Sequence, residues 1–199
     1  MSEKRILTPK FIASVAVLSA VAFVLMLFDF PLLFIAPSFY KFDFSEVSVL
    51  IGGFALGPWA AVAIESVKIV LKLLFKPTTT LFVGEFANWI LGISFTVIAS
   101  IIYNKSKTKK TALLGMLAAT VVMAIVGVIA NYFVLLPFYS QLYGMPISAF
   151  VEMGSAIFPF IHDIWGLLLV CVLPFNILKG IVVSFVTILL YKRVARLLH

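Results

Sequence analysis

The side chains able to do chemistry are few, and most of them interrupt apolar runs. Glu65 and Lys68 stand three apart, a helical spacing that places them on one face and lets them pair. Glu85 and Asn88 repeat that spacing, and so do Asn176 and Lys179, just after Pro174. Asn131 is almost the only strongly polar residue between 112 and 138. A charge at membrane depth costs a few kcal/mol or more, so each such residue marks an internal pair or a ligand contact. An amide left unpaired in hydrocarbon is also costly, so Asn131 must meet another helix or a ligand. Lys179 calls for a carboxylate, which Glu65 or Glu85 can supply. The kink expected at Pro174 frees backbone groups and opens space beside Asn176.

The same inventory excludes most catalysis. No H-E-x-x-H, G-x-S-x-G or G-x-x-x-x-G-K is present, so no catalytic residues and no metal site are expected, and the chain cannot hydrolyse ATP by itself. His162-Asp163 reads as a loop end or helix cap, since sequence neighbours do not face each other on a helix. The single Cys171 lies in an apolar run and has no partner for a disulfide or a metal.

Composition fixes what must position these groups. Of 199 residues, 63% are hydrophobic and 12% charged, and the mean hydropathy is +1.20. Soluble domains are typically about 45–50% apolar and about 25% charged. A spanning helix takes roughly 20 residues, which allows about six spans. The reading is therefore an all-α integral membrane bundle, a single domain over 1–199. Its helices are expected near 9–28, 46–56, 59–75, 81–103, 112–138 and 164–191. Thr8-Pro9 forms a good first helix start, and the run after it continues too far for a cleaved signal peptide. Residues 29–45, with two prolines and five phenylalanines, read as a structured loop, and residues 139–163 as a longer loop with an amphipathic piece.

The net charge of +7 is unevenly placed. Lys4, Arg5, Lys10, then Lys105, Lys107, Lys109, Lys110, then Lys192, Arg193, Arg196 make up ten of the 15 Lys and Arg residues. Six crossings with the N-terminus inside put all ten on the cytoplasmic side and both aromatic loops outside. Basic clusters abutting apolar runs fit lipid headgroups, and no nucleic-acid partner is expected. Ala16 and Ala20, with Ala13 and Ser19 beside them, form a small-residue strip on the first helix, and Gly53 and Gly57 another. Such strips admit a close helix, from this bundle or from a partner.

Lys41-Phe42-Asp43-Phe44-Ser45-Glu46, running on to Gly52-Gly53-Phe54-Ala55-Leu56-Gly57-Pro58, resembles the substrate-binding S-components of energy-coupling factor vitamin transporters, the riboflavin-specific ones above all. Gly84-Glu85-Phe86-Ala87-Asn88, Asn176-x-x-Lys179 and Ala16-x-x-x-Ala20 fit the same pattern. The resemblance covers nearly the whole chain. It implies a non-enzymatic membrane subunit without a cofactor, which captures riboflavin outside beneath a lid formed by the first loop. It also implies docking through Ala16 and Ala20 onto a transmembrane coupling subunit that carries two ATPase subunits. The expected substrate residues are Asn131, Asn176 and Lys179, with Lys41, Asp43, Glu85 and Asn88. Another vitamin, a membrane-embedded enzyme and a scaffold protein are the alternatives.

Overall fold

A computed structural model describes residues 8–198, with side chains to 191. Lys4 and Arg5, and the side chains of Lys192, Arg193 and Arg196, lie outside the described residues. Helix α1 (Pro9–Leu27) starts where Thr8 Oγ1 accepts from the Phe11 amide at 3.2 Å, with Pro9 in the first turn. Residues 29–44 then cross one end of the bundle. They contain the described strands, a two-residue antiparallel pair β1 (Phe30–Pro31) and β2 (Lys41–Phe42), with Phe30 opposite Phe42. Asp43 Oδ1 accepts from the Ser45 amide at 2.8 Å, where α2 (Ser45–Leu56) begins.

Gly57, at φ 104°, occupies backbone space that glycine tolerates, and it turns the chain into α3 (Pro58–Phe75). Helices α4 (Val83–Asn104) and α5 (Lys109–Ala130) follow, the latter opened by a Thr108–Thr111 capping box. Beyond α5 the helix does not stop at 138 as the sequence suggested. It continues through a π-helical turn (Asn131–Leu135) into α6 (Leu136–Tyr143), and α7 (Ile147–Ser155) occupies much of the expected loop. A second π-helical turn (Leu168–Val172) joins α8 (Ile164–Leu167) to α9 (Leu173–Leu198). Each π turn is followed by a proline, Pro137 or Pro174, which cannot donate into the ladder, so the helix rewinds around it. Asp163 caps α8 by accepting from the Gly166 amide at 2.6 Å, in line with the cap reading of His162-Asp163.

The fold is nearly all-α. Pro9–Leu27, Val83–Asn104, Lys109–Tyr143 and Ile164–Tyr191 are long and apolar enough to cross a membrane. The two other long helices carry buried polar groups inward. Every residue of α2 from Ser45 to Phe54 is buried, while α3 turns Glu65 and Lys68 inward. Large apolar side chains such as Val17, Leu74, Leu117, Phe133 and Phe185 face outward, as suits a lipid surround. Gly53 is an internal contact, since a Cβ there would strike Ser100 Oγ and lie 3.1 Å from Ala61. The Gly53/Gly57 strip is thus packing and a turn.

The two ends of the bundle differ. Phe54, Tyr103 and Tyr191 meet at one end, the two tyrosine hydroxyls 2.9 Å apart, beside the Lys105–Lys110 segment. At the other end, residues 29–44, the α3–α4 turn and α6–α7 surround a cavity.

Candidate functional site: a cavity beneath the 29–44 strap

The cavity holds about 490 Å³, within the range of about 300–1,000 Å³ usual for small-molecule sites. Phe39, Phe175, Leu91 and Met123 supply apolar wall, and polar groups enter from the strap and from helices on every side, α9 and the π turn after α5 among them. Asn131, Asn176 and Lys179 all line it, and all three are buried.

Gly127 brings the two asparagines together. Its carbonyl accepts from Asn131 Nδ2 at 2.8 Å. Its bare Cα leaves room for Asn176, since a Cβ there would sit 2.6 Å from Asn176 Nδ2. Asn176 Nδ2 donates to the Val172 carbonyl at 3.0 Å, one turn back in the π segment. An asparagine amide both donates and accepts, so such a pair reads complementary edges of a planar ligand. Asn131 Oδ1 accepts from the Tyr40 hydroxyl at 2.6 Å. Sequence reasoning gave Asn131 a helix or a ligand as partner; the strap itself provides one. Tyr40 is half-buried, and the desolvation pushes its phenol well above the ordinary value.

Lys179 pairs with neither Glu65 nor Glu85. Its Nζ lies 3.2 Å from Asp43 Oδ2, because α9 passes under the end of the strap. Burial opposes ionisation of Asp43, but Lys179 and Lys68, helped by the Ser45 hydrogen bonds, hold its carboxyl well below the usual carboxylate range. The strap is therefore pinned twice, by Tyr40–Asn131 and by Asp43–Lys179, to groups that face the cavity.

The remaining expected residues stand nearer the rim. Glu85 Oε2 accepts from Thr78 Oγ1 at 2.9 Å and Thr80 Oγ1 at 3.1 Å, with Lys72 3.9 Å from its other oxygen. This tie orders the α3–α4 turn, in which Leu81 and Phe82 hold positive φ. Lys41 is half exposed and 3.5 Å from Asp29, which Lys76 meets at 3.3 Å. Such exposed pairs stabilise little. Asn88 lines the cavity with no hydrogen-bond partner among the described residues, so its amide is open to a ligand. Sequence reasoning missed Tyr40, Thr78 and Thr80. Hydroxyls in loops carry no spacing signal, although Tyr40 is the only hydroxyl-bearing aromatic between 29 and 45. Among the described residues no group of three metal-ligating side chains occurs.

On α1, Ala16 and Ala20 are exposed together with Ala13. Ser19 does not belong to that strip. It is buried, with Oγ donating to the Val15 carbonyl at 2.7 Å.

Comparison with known proteins gives the family. The family of ECF transporter substrate-specific components matches residues 10–191. The riboflavin transporter RibU of Staphylococcus aureus (strain TCH60) is 38% identical over 189 residues, covering 95% of this chain and 92% of that protein. The riboflavin transporter FmnP of Bacillus subtilis (strain 168) is 32% identical, covering 89% of this chain and 87% of its own length. A solved structure described as the S component of a bacterial ECF transporter superposes with a TM-score of 0.72 at 39% identity, covering 94% of this chain and 96% of that one. These are transporter components rather than enzymes, and with residues 10–191 matched, this chain belongs to the ECF transporter substrate-specific component family.

Proposed function

We propose that this protein is a riboflavin-binding membrane subunit that captures the vitamin outside the cell and delivers it inward with an energy-coupling factor module. The observation that carries the reading is the cavity in which Asn131, Asn176 and Lys179 meet beneath apolar wall, in a chain whose relatives are named riboflavin transporters. Riboflavin is uncharged, with a flat ring bearing carbonyl and imide groups and a polyhydroxyl tail. Apolar walls with a few placed amides suit the ring. Lys179, Asn88 and the rim groups Lys41 and Glu85 offer donors and acceptors to the tail, while Asp43, which does not line the cavity, acts by holding Lys179. Riboflavin is cargo here, so no cofactor is needed. Purified protein should quench flavin fluorescence saturably and copurify with a flavin spectrum. A flat titration with riboflavin would overturn the reading.

The orientation follows from charge and from the two ends of the bundle. We place both termini and residues 104–111 in the cytoplasm, with six crossings and a multi-pass position in the cell membrane. The strap and the cavity then face outward. Tyr103 and Tyr191 meet at the end opposite the strap, which supports that placement. Cysteine labelling of intact cells should reach position 145 and miss position 107; the reverse pattern would refute it.

Delivery needs a partner, because no nucleotide-binding motif is present. The exposed Ala13, Ala16 and Ala20 offer a smooth face of α1 for close approach by the transmembrane coupling subunit, which carries the two ATPase subunits. Ala20→Trp should cut cellular riboflavin uptake at least tenfold while the isolated protein still binds riboflavin. Equal loss of binding and uptake would make the strip internal packing.

A further inference from the structure

At the floor of the cavity, charge and donor counts both fail to close. Lys68 Nζ lies 2.9 Å from Glu46 Oε1 and 2.7 and 2.8 Å from the two oxygens of Glu65, and it donates to Ser45 Oγ at 3.1 Å. Lys68 and Glu65 are fully buried, and Glu46 is 1% exposed. Asp43 is matched separately by Lys179 at 3.2 Å. Three carboxyl groups therefore face two ammonium groups, and one negative charge is left over in a buried site. An ammonium has three N–H donors. Those of Lys68 go to Ser45 Oγ, Glu46 Oε1 and Glu65 Oε2. Glu46 Oε2 and Glu65 Oε1 are buried and take no hydrogen bond among the described residues; Glu65 Oε1 keeps only the charge contact with Lys68 Nζ, while Glu46 Oε2 has no partner at all among them, which is costly for a carboxylate.

We propose that the carboxyl groups of Glu46 and Glu65, which meet at Lys68 Nζ, hold one proton between them, making this pair a proton-binding site and leaving the cavity floor without net charge. A single proton cancels the surplus charge and supplies the missing O–H. The charged groups facing the pair are Lys68 on α3, Asp43 at the end of the strap and, beyond it, Lys179 on α9. From α4 comes Gly92, where a Cβ would sit 2.5 Å from Glu65 Cδ, so glycine is what lets the carboxyl fit there. The benefit to cargo rests on the riboflavin reading, since a floor without net charge accepts an uncharged molecule that brings no counter-ion.

Glutamine is the isostere of a neutral glutamic acid, and its amide N–H can replace the shared proton as donor. Infrared spectra of the reconstituted full-length protein at neutral pH should show a protonated-carboxyl C=O band that E65Q removes. E65Q should keep riboflavin affinity within about threefold, whereas E46Q/E65Q should lose tenfold or more, because Lys68 then has no carboxylate. A wild-type spectrum without the band, a band that survives E65Q, or E65Q as damaging as the double variant would each overturn the proposal. Failure of the wild-type protein to bind riboflavin would refute the proposed function instead, and the infrared comparison would still decide the proton.

Discussion

Lys68→Met should be among the most destabilising single substitutions in the chain, removing about 3–5 kcal/mol of stability. The cost does not come from the net value of the ion pairs, because a buried pair roughly offsets its own desolvation. It comes from what the substitution strands. Glu46 and Glu65 both reach the one ammonium, and Ser45 Oγ accepts from it as well. With methionine there, two buried carboxyl groups from different helices face each other without a cation. Lys68 also joins α2 to α3 through these contacts, so the damage falls on the helix that lies at the centre of the bundle. Thermal unfolding of the detergent-solubilised variant should show a markedly lowered midpoint and a reduced monodisperse yield. An unfolding midpoint equal to that of the wild type would mean that the cluster contributes nothing to the fold.

The elements were easier to read from the sequence than the contacts between them. Helix starts carry local signals, such as the Thr8-Pro9 cap and the Gly57-Pro58 turn, so α1 and α3 begin close to where those residues predict. The pairing of Glu65 with Lys68 was readable for the same reason, since three residues on one helix are a local matter. Glu46 as the second partner was not, because its approach depends on how α2 crosses α3. Lys179 teaches the same point. Its need for a carboxylate followed from its apolar setting, but the partner is neither Glu65 nor Glu85, the two acids the sequence offered; it is Asp43 of the strap, which has no periodicity. The π turns escaped notice because nothing in residues 131–135 or 168–172 departs from an ordinary helical pattern. Only Pro137 and Pro174 hint at them, from outside the turns themselves. The polar residues of the cavity were recognisable because hydrocarbon makes each unexplained amide or charge conspicuous. Hydroxyls such as those of Tyr40, Thr78 and Thr80 carry no comparable mark.

Asn176→Ala should weaken riboflavin binding by tenfold or more, and Asn131→Ala should do at least as much, for partly different reasons. Each amide faces the cavity from a buried position. A hydrogen bond lost from a buried ligand leaves its partner unsatisfied at a cost of about 1–3 kcal/mol, and about 1.4 kcal/mol is tenfold in affinity. Among the described residues Asn176 hydrogen-bonds otherwise only to its own helix, through the Val172 carbonyl. Its removal should therefore act on the ligand and spare the fold. Asn131 also accepts from Tyr40, so Asn131→Ala releases one of the two pins of the strap along with the ligand contact. Tyr40→Phe separates these effects, because it deletes the pin and leaves the amide in place. The expected order of loss in a flavin-quenching titration is small for Tyr40→Phe and larger for Asn176→Ala and Asn131→Ala, with unfolding midpoints close to wild type. A Tyr40→Phe loss as large as that of Asn131→Ala would mean that Asn131 acts through the strap alone. Wild-type affinity in both asparagine variants would make these amides links between helices and move riboflavin elsewhere. Dissociation rates add a further check. A ligand held by the amides but covered by the strap should leave faster from Tyr40→Phe with little change in its association rate, since opening the strap limits escape more than encounter.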